Sequence, residues 1–215
     1  MLPPRRLAVL ATVLAAASLG ACGGDDNGDE ERTATGTTAS EAQFSRPEKV
    51  LKRGTKATAT VSTSQGAFEI ELDTRLAPKT TNSFAFLAQE GFYDGTTFHR
   101  IVPGFVVQGG DPTGTGTGGP GYEIDEPPPP DTEYLRGTAA MANVPGVDPP
   151  GRSGSQFFVV VAADAGLPPT SPLLGDVSSG FGVIERIAAL GDPASGQTGT
   201  PLETVTISNV TIKRR

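Results

Sequence analysis

Lys56–Thr63 (KATATVST) alternates apolar and polar positions, and Phe68–Leu72 (FEIEL) alternates again with glutamates on its second face. A period of two marks a half-buried strand. Ser64-Gln65-Gly66 between the runs is turn chemistry, so the pair predicts a β-hairpin. The pattern then changes to a helical period over APKTTNSFAFLAQEG. Phe84, Leu87 and Ala88 share one face, Pro78 suits the first turn, and Gly91 can terminate the helix. Strand-like runs follow at Thr97–Ile101, Phe105–Gln108 and Gln156–Val161. Phe181, Ile184, Ile187 and Ala188 predict a second helix over Phe181–Leu190, and LETVTISNVTIK closes the chain as an alternating strand. Many strands with two isolated helices predict a mainly β fold, a closed antiparallel barrel in preference to a parallel α/β sheet. No internal repeat is visible.

The first 21 residues do not belong to this pattern. Arg5 and Arg6 precede the apolar run Leu7–Ala17, which is too short for a membrane span of roughly 20 residues. A positive start, a short apolar run and small residues after it read as a secretory signal peptide. Its ending, Leu19-Gly20-Ala21-Cys22, resembles the bacterial lipobox, in which the cysteine is lipidated and becomes the new N-terminus. The acidic, Gly- and Thr-rich stretch that follows cannot bury enough surface to order itself. The expected organisation is a signal peptide over 1–21, a lipidated Cys22 with a disordered tether over 22–48, and a folded domain over 49–215. The expected location is outside the cytoplasmic membrane, lipid-anchored to the bacterial cell envelope.

Composition narrows the chemistry. The chain of 215 residues holds 28 Gly and 19 Pro, which favours short strands and turns. A net charge of −7 without a basic cluster makes nucleic acid an unsuitable partner. One Cys and one His exclude an internal disulfide and argue against a Cys/His zinc site. The run GTGTGG satisfies G-x-G-x-x-G over Gly114–Gly119, but Pro120 and Gly121 follow where a dinucleotide site needs a helix. His99 has no serine at nucleophile-elbow spacing to complete a triad. Pro127–Pro130 predicts a short polyproline II rod, read as a stiff surface loop ahead of a partner-docking segment.

FHRIVPGFVVQGGD (Phe98–Asp111) resembles the central signature of the cyclophilin family of peptidyl-prolyl cis–trans isomerases. Four further segments resemble the family in the same order. APKTTNSFAFLAQEGFYDGTTFHR is similar to its first helix and following strand. GTGTGG is similar to its glycine loop, Met141–Asn143 to its substrate strand, and Gly154–Val160 to its pocket wall. The resemblance runs from about Thr58 to the C-terminus. It implies a closed eight-stranded antiparallel barrel capped by two helices, with proline-containing polypeptides as substrates, no cofactor and no metal. A monomer is expected.

By position, the resemblance implies Arg100 as the catalytic arginine, with Phe105 and Gln108 beside it. It implies a proline pocket of Phe105, Val106, Phe158 and Leu167. Asn143 and Gln156 would hold the substrate backbone, with Gly116, Ala142 and Val144 forming the adjoining groove. His99 is motif-matched and reads either as a substrate contact or as a packed histidine hydrogen-bonded to nearby backbone. Two positions depart from the family: Gly166 stands where a tryptophan often precedes the pocket leucine, and Ser171 where a histidine often follows it. The competing functions are a non-catalytic module that holds proline segments, and a solute-delivering lipoprotein, for which the domain is too short.

Overall fold

The computed structural model describes residues 44–144 and 151–215. The signal and lipidation expectations, Cys22 included, and the tether as far as residue 43 lie outside the described residues; the last residues expected as tether, 44–48, are instead held on the domain by Phe44 and the Glu48 carbonyl. Alternation builds the first hairpin: β1 (Ala57–Thr63) and β2 (Gly66–Leu72) pair antiparallel, with Thr63 opposite Gly66 across the Ser64-Gln65 turn. Helix α1 (Pro78–Gln89) follows. Then come β3 (Arg100–Val102), β4 (Val106–Gly109), β5 (Ile124–Asp125), β6 (Thr138–Asn143), β7 (Arg152–Val160) and β8 (Leu173–Ser179). Helix α2 (Phe181–Ala188), a short 3-10 stretch (Pro193–Thr198) and β9 (Ile207–Arg214) complete the chain. Both predicted helices are present, and Gly91 follows α1 in the left-handed conformation (φ 68°) that ends helices.

The strands form one curled antiparallel sheet in the order β3-β4-β7-β6-β8-β2-β1-β9, with β5 pairing to β7 off this path. This is an open half-barrel, which corrects the expectation of a closed one. The two ends, β3 and β9, form no ladder. The segment ahead of β3 touches the start of β9 through an isolated bridge from Thr97 to Thr206 and through backbone hydrogen bonds of Gly95, Thr96 and Phe98 with Ile207 and Val205; Thr97 also bridges Asp111. Thr97 makes isolated bridges and no continuous ladder, so the strand expected over Thr97–Ile101 shrinks to Arg100–Val102. Strand β8 carries no clean alternation and was not predicted. Its Gly175 lies so near β2 that a Cβ there would meet the Glu71 carbonyl oxygen at 1.9 Å.

The concave side holds the main core. Phe157 of β7 is its hub, with ring centroids 5.6 Å from Phe84, 5.9 Å from Tyr93 and 6.0 Å from Phe98. Helix α1 lays Phe84 and Leu87 into this core. Its N-terminus has Ala77 at the cap position, which offers no side-chain acceptor. Glu126 supplies the acceptors instead, taking hydrogen bonds from the Lys79 N–H at 3.1 Å and the Thr80 N–H at 2.7 Å. A carboxylate there satisfies donors the helix leaves open and complements its dipole. Pro127, at the head of the proline run, sits against Gly151, where a Cβ would meet its Cα at 2.7 Å.

Glu126→Ala removes the one side-chain cap of the α1 N-terminus among the described residues and is expected to cost about 0.5–2 kcal/mol, the range for losing an N-cap. Urea unfolding checks this; Glu126→Gln, which keeps one acceptor, should lose less.

Candidate active site

The site is assembled by strand pleating. In β3, Ile101 enters the core while Arg100 points to the convex face; in β4, Val107 goes in while Val106 and Gln108 go out. In β7, Phe157 and Val159 go in while Gln156, Phe158 and Val160 go out. In β6, Ala140 and Ala142 join the outward set. Alternation thereby places polar residues of three adjacent strands on one surface, beside a second apolar cluster.

Arg100 stands opposite Gln108 in the β3–β4 pair. Its Nη1 donates to Gln108 Oε1 at 3.2 Å. Gln108 Nε2 donates to Gln156 Oε1 at 3.0 Å, and Gln156 Nε2 donates to the Gly118 carbonyl at 2.9 Å. On its other side, Arg100 Nε donates to the Gln197 carbonyl at 3.1 Å. Its guanidinium carbon lies 6.0 Å from the Phe105 ring centroid. Partial burial lowers the Arg100 pKa from its ordinary value. Gly199 backs this strand: the Ile101 N–H bonds its carbonyl at 2.7 Å, and a Cβ there would meet Arg100 Cγ at 2.9 Å.

Beside the arginine, Val106, Tyr134, Ala140, Phe158 and Val160 form the buried floor of the second cluster, with Phe105 and Leu167 partly exposed at its edge. All four expected pocket residues thus meet in one place. Tyr134 was not foreseen, because an isolated aromatic in a loop carries no pattern. Its hydroxyl donates to the Ser171 carbonyl at 2.7 Å and accepts from the Ser171 N–H at 3.0 Å, clamping that rim. Gly166, also on the rim, has φ 61° and open space where a Cβ would be.

On the far side of Gln156 lies a cavity of about 730 Å³, lined by Gln108, Gly116, Ala142, Asn143, Val144 and Gln156 among others. Asn143 Nδ2 donates to Thr170 Oγ1 at 3.1 Å and Ser171 Oγ at 3.4 Å, while its Oδ1 is buried without a hydrogen-bond partner among the described residues. Such an acceptor is costly unless something donates to it. His99 lies elsewhere. It lines a second cavity of about 260 Å³ behind the glycine loop, with Nε2 3.9 Å from where a Gly116 Cβ would be. Burial lowers its pKa, against the opposing charge of Asp111. The Thr97 backbone and Gln156 lie near it, but neither completes a hydrogen bond with its buried ring nitrogens.

Asp111 organises the glycine loop. Its Oδ1 accepts from the Thr113 N–H and hydroxyl, each at 2.8 Å; its Oδ2 accepts from the Gly116 N–H at 2.6 Å and the Gly118 N–H at 3.2 Å. A Cβ on Gly118 would fall 2.0 Å from Oδ1, so only glycine fits there. The sequence held a signal for this: an aspartate followed two residues on by Thr113 is the pattern of an Asx turn. Burial pushes the carboxyl up, but the Thr113, Gly118 and Gly116 donors outweigh it and hold the pKa below its ordinary value. A depressed carboxylate contributes stability above its unfolded pKa of ~3.9, and that stability is lost as pH falls through the folded value. Asp111→Asn should therefore cost about 1–3 kcal/mol at neutral pH, since one amide group cannot accept all four donors. The deficit should narrow below about pH 4 in urea titrations of both proteins.

A family profile described as "Cyclophilin type peptidyl-prolyl cis-trans isomerase/CLD" matches residues 58–212. The chain is 39% identical to "Peptidyl-prolyl cis-trans isomerase B" of Streptomyces anulatus over 175 residues, covering 73% of this chain and 97% of that protein. It is 42% identical to "Peptidyl-prolyl cis-trans isomerase-like 1" of Homo sapiens over 131 residues, covering 59% of this chain and 76% of that one. A crystal structure of a Cryptosporidium parvum cyclophilin type peptidyl-prolyl cis-trans isomerase superposes with a TM-score of 0.65 at 30% identity, over 75% of this chain and 99% of that one. A second structure of that parasite protein, described as in the presence of the dipeptide Ala-Pro, superposes with a TM-score of 0.64. With an open antiparallel half-barrel, a strand-borne arginine beside an apolar cluster and these matches, the chain belongs to the cyclophilin type peptidyl-prolyl cis–trans isomerase family.

Proposed function

We propose that this isomerase accelerates rotation about X–Pro bonds in extracytoplasmic polypeptides as they fold, from a lipid anchor at the bacterial cell envelope. The barrier to rotation is ~18–20 kcal/mol because amide resonance must be broken. Uncatalysed exchange takes tens to hundreds of seconds. Reaching roughly a hundred turnovers per second requires about three to five decades, or ~4–6 kcal/mol. No bond to carbon forms or breaks, so a grip on the proline ring and a donor for the twisted amide are sufficient.

The observation that carries the reading is the guanidinium held from two sides, by Gln108 and by the Gln197 carbonyl, at the edge of the Phe105–Phe158 cluster. In the planar amide the proline nitrogen shares its lone pair with the carbonyl. In the twisted state that pair is localised and accepts a hydrogen bond from Arg100. Stabilisation thus appears mainly at the barrier, which is what separates catalysis from binding. Val106, Phe158 and Leu167 hold the ring. Gln156 and the unpartnered Asn143 Oδ1 face the substrate backbone, and an N–H donated to Asn143 offsets the cost of leaving that oxygen buried and unpaired. Gly116, Ala142 and Val144 border the flanking side chains. His99, behind the glycine loop, lines the second cavity with Gly114. The anchor reading rests on the LGAC sequence at Leu19–Cys22, with the acidic stretch after it as spacer.

Arg100→Ala should lose at least one to two decades in interconversion rate, since a charge-assisted hydrogen bond is worth ~1.5–3 kcal/mol. Ground-state affinity should barely change. Arg100→Lys should recover little, because a flexible point charge cannot hold two fixed partners. Phe105→Ala should weaken affinity and rate together. NMR exchange on an Ala-Pro peptide separates the two quantities. Unchanged interconversion in Arg100→Ala would sink the mechanism, and a proline-binding module would move ahead if the unaltered domain also accelerated no exchange.

Cys22→Ser should leave an unlipidated protein, either uncleaved or released, because stable attachment of the mature chain needs more than one acyl chain and the cysteine carries them. Mass spectrometry of the mature N-terminus and membrane fractionation check this. A parent protein without acyl mass would overturn the anchor.

A further inference from the structure

The residues that dock ahead of β1 lie outside the stretch matched by the family, which begins at residue 58. They are nevertheless well fastened. Asn82 on α1 accepts from the Val50 and Leu51 N–H groups at 2.8 and 2.9 Å and donates to the Glu48 carbonyl at 2.8 Å. Further out, Phe44 packs edge-on against Phe86, with centroids 5.1 Å apart, and lies 6.3 Å from Phe92. Phe86 sits two positions from Phe84, on another side of α1, where it joins the outer part of the buried cluster. It is only 5% exposed, and Phe44 is the aromatic ring that packs over it.

This contact reaches the substrate groove. The Phe44 N–H donates to the Pro120 carbonyl at 2.8 Å. Pro120 lines the large cavity beside Gln156, and its Cδ lies 3.1 Å from where a Gly154 Cβ would be. The wall is otherwise loosely held at this point. Pro120 has no N–H to give, and glycines flank it on both sides, with Gly121 at φ 90°. Between Gly118, fixed by Asp111 and Gln156, and Tyr122, fixed by Ser83 at 2.9 Å, the Phe44 bond is the one hydrogen bond to the wall among the described residues.

We infer that Phe44 is a positioning residue for the substrate groove: it fixes the Pro120 wall and thereby sets affinity for side chains that flank the proline and enter the cavity. The inference rests on the isomerase reading, since it assumes a polypeptide crossing Gln156 from the proline pocket. Phe44 itself touches no substrate. Its ring anchors a backbone N–H whose acceptor shapes the wall. Wall displacements well under 1 Å alter how a side chain seats there.

The test uses the full chain, with two peptides sharing one Ala-Pro core. One is blocked on either side of the core; the other carries bulky flanking residues. NMR exchange gives affinity and interconversion rate for each. In Phe44→Ala, affinity for the flanked peptide should fall about three- to tenfold, while the short peptide and both interconversion rates stay within about twofold. Phe44→Tyr, which keeps the ring, should restore the affinity. Backbone amide shifts of Gly119 and Gly121–Glu123 should move in Phe44→Ala and return in Phe44→Tyr. A lower melting temperature with equal effects on both peptides, or amides that do not move, overturns the inference. If the unaltered protein catalyses no exchange, the isomerase reading fails, and the amide shifts still decide whether Phe44 holds the wall.

Discussion

Everything at this site depends on the pleat of β7. Successive residues of a strand face opposite sides, so β7 contributes Phe157 and Val159 to the core and Gln156, Phe158 and Val160 to the groove. Its neighbours β4 and β6 are registered against it so that their outward residues fall on the same surface: Gln108 and Ala140 both stand opposite Phe158. A slip of one residue would exchange core and groove together. The large aromatic cluster on Phe157 therefore secures more than stability. By making the inward register strongly preferred, it holds the outward one in place.

The arginine is positioned by the same logic extended to loops. Gln108 holds it from the sheet, and the stretch before β9 holds it from outside through the Gln197 carbonyl. Gly199 permits that approach because it has no Cβ to meet Val102 and Arg100. The glycine loop closes the other end. Asp111 gathers its amides, and the Gly118 carbonyl is left as the acceptor for Gln156. Strand, loop and closing segment each contribute one fixed point, and none holds the groove alone.

The sequence made the hairpin, both helices and the final strand legible, since each carries a hydrophobic period over seven or more residues. It did not show β8, where Gly175 breaks the alternation, nor the missing ladder between β3 and β9. Closure depends on whether distant segments pair, and no local pattern records that. At the site, the motif around Arg100 located Phe105, Gln108 and the pocket. Tyr134, Gln197 and Phe44 stayed hidden because they act through one hydroxyl, one carbonyl and one N–H, supplied from loops of no regular period. Backbone groups are present at every position, so a backbone contact leaves no trace in residue identity.

The hydrogen bonds from Arg100 through Gln108 and Gln156 to Gly118 have a direction. A guanidinium can only donate and a carbonyl can only accept, so both ends of the relay are fixed in polarity. An isolated glutamine amide is nearly degenerate, since its oxygen and nitrogen exchange places on a half-turn. Neither amide here retains that freedom. Turning Gln108 would set its NH2 against the arginine and its oxygen against the Gln156 oxygen; turning Gln156 would face two oxygens at Gly118 and two NH2 groups at Gln108. The relay thus has one ground arrangement instead of four. Its amide dipoles align head to tail, and each bond polarises the next. The configurational entropy of the guanidinium is surrendered when the chain folds, and its donors keep one fixed direction at the edge of the apolar cluster.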